Sequence, residues 1–247
     1  MKAFNTMFKT ELKLAIRGMD MVIFAIALPV VVIIIIGAIY GDKVAFEGAE
    51  YSFLAQSFGG VVTIAISASG MMGLPLVVAD YRNKKILKRF KVTPMSPTLI
   101  LFVQIVVNML MSVASLLLVY AAGAIFFGLR LKGDWFAFLG SYFLVLLSIY
   151  SIGMMVGAVS PNIKTSNLLC CILYFPALIF SGATLPYEVM PTVLQKMADI
   201  LPLTQGIKLL KATSLGLPIS SVLFPIIIMI VISVICVCIS VRFFRWE

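Results

Sequence analysis

Two long uncharged runs, 29 residues from Tyr51 to Ala79 and 32 from Thr98 to Leu129, flank a short charged stretch, Asp80 to Pro97. That stretch holds Arg82, Lys84, Lys85, Lys88, Arg89 and Lys91 against one acid, Asp80. Few folds accept such a pattern. About 20 apolar residues cross a bilayer as a helix, and a helix satisfies its own backbone polar groups there. A dense cationic loop between two spans belongs on the cytoplasmic side. The chain is 62% hydrophobic and 12% charged over 247 residues, whereas a soluble globule is roughly half apolar and a quarter charged. The expected fold is an all-α membrane protein, one transmembrane domain over 1–247.

The remaining spans follow by alternation. Residues 1–18 place Phe4, Met7, Phe8, Leu12 and Ala15 on one helical face and Lys2, Lys9, Lys13 and Arg17 on the other. That is an amphipathic helix for a membrane surface. Met21–Tyr40 is span 1, too long for a signal-peptide core and without a small-residue cleavage site. Tyr51–Ala79 is span 2, with Gly59, Gly60, Ser67, Ser69, Gly70 and Gly73 offering a surface for close helix approach. Thr98–Leu129 is span 3, at about 48 Å too long to stand upright in about 30 Å of hydrocarbon. Trp135–Ser160 is span 4, with Gly153-x-x-x-Gly157 near its inner end. Thr165–Thr184 is span 5 and Ile219–Val241 span 6. Between them, residues 185–218 are punctuated by Pro186, Pro191, Pro202 and Pro218. The helical piece between Pro191 and Pro202 is too short to span and too apolar for water. It reads as a re-entrant or interfacial hairpin on the outer side.

This layout puts thirteen of the 19 basic residues and four of the ten acids inside. The whole net charge of +9 therefore falls on one face, as the positive-inside bias requires, with both termini cytoplasmic. It accounts for the basic balance without nucleic acid. No acid or base falls in the middle of a span, which argues against proton coupling. There is no G-x-x-x-x-G-K-[ST] phosphate loop, no H-E-x-x-H and no pair of catalytic carboxylates, so the chain is not read as an enzyme. The four cysteines, Cys170, Cys171, Cys236 and Cys238, sit in apolar runs and read as packing residues; no metal site is expected. Any uphill transport needs energy from another subunit.

Two motifs carry a resemblance. R-N-K-K-I-L-K-R-F-K-V-T-P-M-S-P (82–97) resembles the inner-loop signature of type-2 ATP-binding-cassette export permeases. S-G-A-T-L-P-Y-E-V-M-P (181–191), followed by Leu201-Pro202-Leu203-Thr204, is similar to the same family's outer re-entrant run. The sequence departs at Lys85-Ile86, where many members have Gly-Thr, and at Lys88, often Glu. The resemblance implies six transmembrane helices and a cytoplasmic coupling helix within 79–97. It implies a second permease copy, identical or related, and two copies of a separate ATP-binding-cassette ATPase subunit. ATP and magnesium would be bound by that partner, with no cofactor in this chain. It further implies a multi-pass protein of the cell membrane, of bacterial type, in contact with lipids and not with nucleic acid. Asp80, Arg82, Lys84, Lys85, Leu87, Lys88, Arg89 and Phe90 would form the ATPase-coupling surface. Ser181, Gly182, Pro186, Glu188, Pro191 and Pro202 would shape the outer segment.

Alternatives stand beside these roles. The basic loop also reads as a topology determinant that binds anionic lipid. Gln104, Asn108, Ser112 and Ser115 form one polar stripe at helical spacing. It serves either to bond helices together or to line the transport path. The functional reading is an ATP-driven exporter of an amphipathic drug, antimicrobial peptide or lipid-like cargo. A non-transporting scaffold or sensor subunit and a passive channel are the alternatives.

Overall fold

The computed structural model describes residues 2–41, 43–45, 51–84, 97–180, 191–218 and 222–243. Among these, every element is a helix apart from one antiparallel bridge between Val44 and Ser52. We number them α1 (Lys2–Arg17), α2 (19–40), α3 (Phe53–Asn83), α4 (Pro97–Phe127), α5 (Trp135–Val159), α6 (Ile163–Phe180), α7 (Thr192–Ala198), α8 (Pro202–Leu215) and α9 (Leu223–Phe243). Five are long and apolar enough to cross a membrane: α2 over Ile23–Tyr40, α3, α4 over Leu99–Phe127, α5 and α9. The sixth expected span coincides with α6, apolar over Ile163–Ile179 but shorter than the other five. The bundle has two ends, one marked by Asp80 and the other by Asp134.

Proline shapes two of the long helices. A proline inside a helix lacks an N–H, and its ring crowds the carbonyl four residues back. For Pro29 and Pro75 those carbonyls belong to Ala25 and Met71. Both fall in wider π turns, Ile23–Ala27 and Ala68–Gly73. The backbone opens where the ring would otherwise clash, so α2 and α3 continue past their prolines.

Helix α3 is the axle of the fold. Ser52 caps it, its hydroxyl accepting from the Ala55 N–H at 3.3 Å. Leu54, Phe58, Val61, Val62, Ile66 and Leu74 enter a core with Phe138, Tyr142, Leu146 and Ile149 of α5 and Leu203 and Leu209 of α8. Phe58 stacks against Phe138 with centroids 5.8 Å apart. The small residues of α3 do what their spacing suggests. A Cβ on Gly153 of α5 would overlap the Gly70 carbonyl oxygen, and one on Gly59 would fall 2.7 Å from the Lys211 nitrogen of α8. Glycine at these crossings lets α3 lie backbone to backbone with both neighbours.

Helix α8 runs antiparallel to α3 and does not reach across the bundle. Its Lys211 faces Gly59, and Gly206 faces Thr63 and Val145. At its far end the Ser214 carbonyl accepts from the Lys132 and Gly133 N–H groups, beside Asp134. Gly216 (φ +72°) then turns the chain out of the helix. Helix α1 departs in one respect from the helix expected to rest on a bilayer. Its apolar face packs on protein: Met7 is buried against Ile100, Val103 and Val107 of α4, with Phe4, Phe8, Leu12 and Ala15 beside it.

Candidate coupling end and polar core

The Asp80 end of α3 is held on two sides by adjacent residues. Tyr81 donates its hydroxyl to Glu11 Oε1 at 2.7 Å. Gln104 Nε2 donates to Glu11 Oε2 at 2.6 Å and to the Tyr81 oxygen at 3.1 Å. Three side chains thereby join α1, α3 and α4, and both carboxylate oxygens of Glu11 are engaged. Arg82 reaches the other way. Its guanidinium donates to the Ser160 carbonyl at 2.6 Å, to Gly157 at 3.0 Å and to Ala158 at 3.4 Å. These carbonyls close α5 and have no intrahelical partner, and the negative end of the helix dipole favours a cation there. On the open side Lys84 pairs with Asp80 at 2.8 Å, one helical turn apart and exposed to solvent.

Of the expected coupling residues, Asp80, Arg82 and Lys84 are placed in this way. Lys85, Leu87, Lys88, Arg89 and Phe90 lie outside the described residues, as do Ser181, Gly182, Pro186 and Glu188. Of the three placed residues, Arg82 donates to carbonyls at the end of α5, whereas Asp80 and Lys84 pair with each other on α3. Pro191 and Pro202 stand immediately before α7 and at the start of α8, where a missing N–H costs nothing.

The polar stripe of α4 is buried along its whole length. Gln104 belongs to the Glu11 node. Asn108 donates from Nδ2 to the Gln104 carbonyl at 2.8 Å. Ser112 lies in a closed triangle of hydroxyls with Ser69 of α3 and Tyr150 of α5, the three sides measuring 2.7, 2.9 and 2.9 Å. Three hydroxyls in a ring can each donate once and accept once, so the set is satisfied without water. The Ser115 hydroxyl finds no partner among the described residues. Ser69 stands in the π turn of α3, one residue from the Gly70–Gly153 crossing. Gln104 and Ser112 thus join α4 to its neighbours, while Asn108 bonds within α4 itself.

Glu11, Tyr81 and Tyr150 complete these contacts without having been singled out from sequence, and Ser69 was read there only as a small residue for close helix approach. Glu11 had a readable signal. It falls on the apolar face of α1, between Phe8, Leu12 and Ala15, where a carboxylate must meet a donor. Tyr150 had none, since a tyrosine in an apolar helix packs as readily as it bonds.

Comparison with known proteins decides the lineage. The family model for the ABC-2 type transporter matches residues 2–215, which takes in every element through α8. The chain belongs to the ABC-2 type transporter family. Its apolar helices and this family indicate a multi-pass membrane protein. Similar proteins include Nodulation protein J of Rhizobium leguminosarum bv. viciae, 34% identical over 97 residues, 39% of this chain and 35% of that protein. Nodulation protein J of R. leguminosarum bv. trifolii is 34% identical over 76 residues, 31% of this chain and 29% of that protein. The matched stretches therefore span about a third of the length of these relatives. For an ABC-2 permease, the gripped end of α3 is the part of the scaffold from which the basic segment departs.

Proposed function

We propose that this chain is the membrane half of an exporter driven by ATP hydrolysed in a separate ABC ATPase subunit, two copies of each forming the complex. The Asp80 end of the bundle, both termini and the basic segment after Lys84 face the cytoplasm of the cell that carries the protein in its plasma membrane. Helix α6 is then the sixth span, and α7 and α8 form the outer re-entrant segment. The observation that carries this reading is the double grip on α3. Tyr81 ties the root of the basic segment to α1 and α4, and Arg82 ties it to the end of α5. A push on that segment reaches four helices through bonds of 2.6 to 3.1 Å, which suits a rigid-body transition between two packed states. The cargo class follows from the uncharged, hydroxyl-bearing helices: an amphipathic drug, antimicrobial peptide or lipid-like molecule.

The test is co-purification of the ATPase from native membranes in mild detergent, followed by its hydrolysis rate. Reversing Lys84, Lys85 and Lys88 together, with Arg82 left in place, is expected to remove the ATPase while the permease still inserts and melts as before. Undiminished recovery of the ATPase would sink the docking role. A complex that binds the ATPase but shows no cargo-stimulated hydrolysis would instead be a scaffold, and conductance without nucleotide would make it a channel.

A further inference from the structure

The ion pair between Lys208 of α8 and Asp199, in the turn between α7 and α8, measures 2.5 Å, and its side chains are 33% and 39% exposed. Sequence alone places both residues in the outer re-entrant or interfacial segment, 185–218, without giving their depth. The packing of α8 gives that depth. Gly206 lies against Val145, the eleventh of the 25 residues of α5, and against Thr63, the eleventh residue of α3. At about 1.5 Å per residue, that contact is about 15 Å from the Asp134 end of either helix. Helix α5 is about 37 Å long and must cross about 30 Å of hydrocarbon, so only a few ångströms of it protrude at each end. Lys208 stands two residues nearer the end than Gly206. The pair is therefore about 10 Å inside the hydrocarbon slab. A lysine escapes such depth by snorkelling, but this ammonium is held by Asp199, whose own carbonyl is bound by Gln205 Nε2 at 2.5 Å.

We infer that the Asp199–Lys208 pair faces a water-filled route through the membrane and not lipid. Two charges at that depth, partly open at the protomer surface, are tolerated where they border a cavity with water and not where they border acyl chains. The chain beside the pair is apolar and open, with Met197 and Ile200 exposed. The wall of the route is thus an apolar surface carrying one ionic step, at which the charged part of a cargo meets a partner partway across. This inference rests on the transmembrane reading of the chain, and its test needs neither ATPase nor cargo.

The native cysteines Cys170, Cys171, Cys236 and Cys238 are first replaced by serine or alanine in the full chain. Single cysteines are then placed at Lys208 (Lys208→Cys) and at Ile200 (Ile200→Cys), the second leaving the ion pair intact. Exposed apolar positions of similar depth, Leu147 of α5 and Ile230 of α9, serve as controls (Leu147→Cys, Ile230→Cys). A charged, membrane-impermeant methanethiosulfonate reagent is added to cells, and labelling rates are compared. Only a thiolate in contact with water reacts, so Ile200→Cys is expected to label on the order of ten-fold or more faster than either control. Ile200→Cys and Lys208→Cys labelling as slowly as the controls would overturn the inference and leave the exporter reading standing. Fast labelling with no ATPase recovered from the same membranes would preserve the route and remove the exporter.

Discussion

Replacing Arg82 with methionine (Arg82→Met) separates two roles open to this residue, docking a partner and closing α5. The structure gives the magnitude for the second. Two charged hydrogen bonds of good length go to the Ser160 and Gly157 carbonyls, with a long third contact to Ala158. A hydrogen bond to a charged group contributes about 1.5–3 kcal/mol, and a cation at a helix C-terminus roughly 0.3–1 kcal/mol. Arg82 is only partly buried, so the lower ends apply, and the loss is about 3 kcal/mol. In a chain of this size about 1 kcal/mol moves a melting midpoint by roughly 2–4 °C. Arg82→Met is therefore expected to melt about 6–12 °C below the parent in detergent, with the permease expressed alone. Arg82→Lys keeps the charge but not the planar fork that spans two carbonyls, and should fall between them. Midpoints from intrinsic tryptophan fluorescence provide the comparison. A melt of Arg82→Met within about 2 °C of the parent would refute the capping argument. If the ATPase were lost at the same time, the guanidinium would belong to docking instead.

Two further outcomes follow from other contacts. Glu11→Ala removes the acceptor of two hydrogen bonds and leaves Tyr81 and Gln104 to find others, at about 1.5–3 kcal/mol for each charged bond. Helix α1 should then detach more often from α4, so that trypsin cuts faster at Lys9, Lys13 and Arg17 than in the parent; an unchanged digestion pattern would show that the apolar contacts of Met7 hold α1 alone. Gly153→Ala drives a methyl into the Gly70 carbonyl, a backbone group that cannot swing aside. Pushing α3 and α5 apart costs at least about 1–3 kcal/mol, and a monodisperse peak of parental yield in size-exclusion chromatography would contradict that packing.

Charge spacing and apolar run length determined much of this protein without any coordinates. Uncharged runs of 29 and 32 residues dictate helices long enough to cross a bilayer, because no other open-chain structure satisfies its backbone in hydrocarbon. The small residues of α3 likewise announced close helix crossings, though not with which neighbours. Pro191 and Pro202 marked the breaks on either side of α7 correctly, since proline acts on its own backbone and needs no tertiary partner. Pairing and depth are different in kind. Arg82 and Lys84 are two residues apart in one basic cluster, yet one closes α5 while the other pairs with its own helix. Which of them turns inward depends on where the last carbonyls of α5 arrive, 75 residues further along the chain. The α4 stripe was legible as polar, but its partners, Glu11, Ser69, Tyr81 and Tyr150, come from three other helices. Asp199 and Lys208 fell in the outer re-entrant or interfacial segment with no depth assigned, because hydropathy records only neighbours in sequence. Their depth follows from Gly206 resting beside Val145, a contact that three-dimensional packing alone creates.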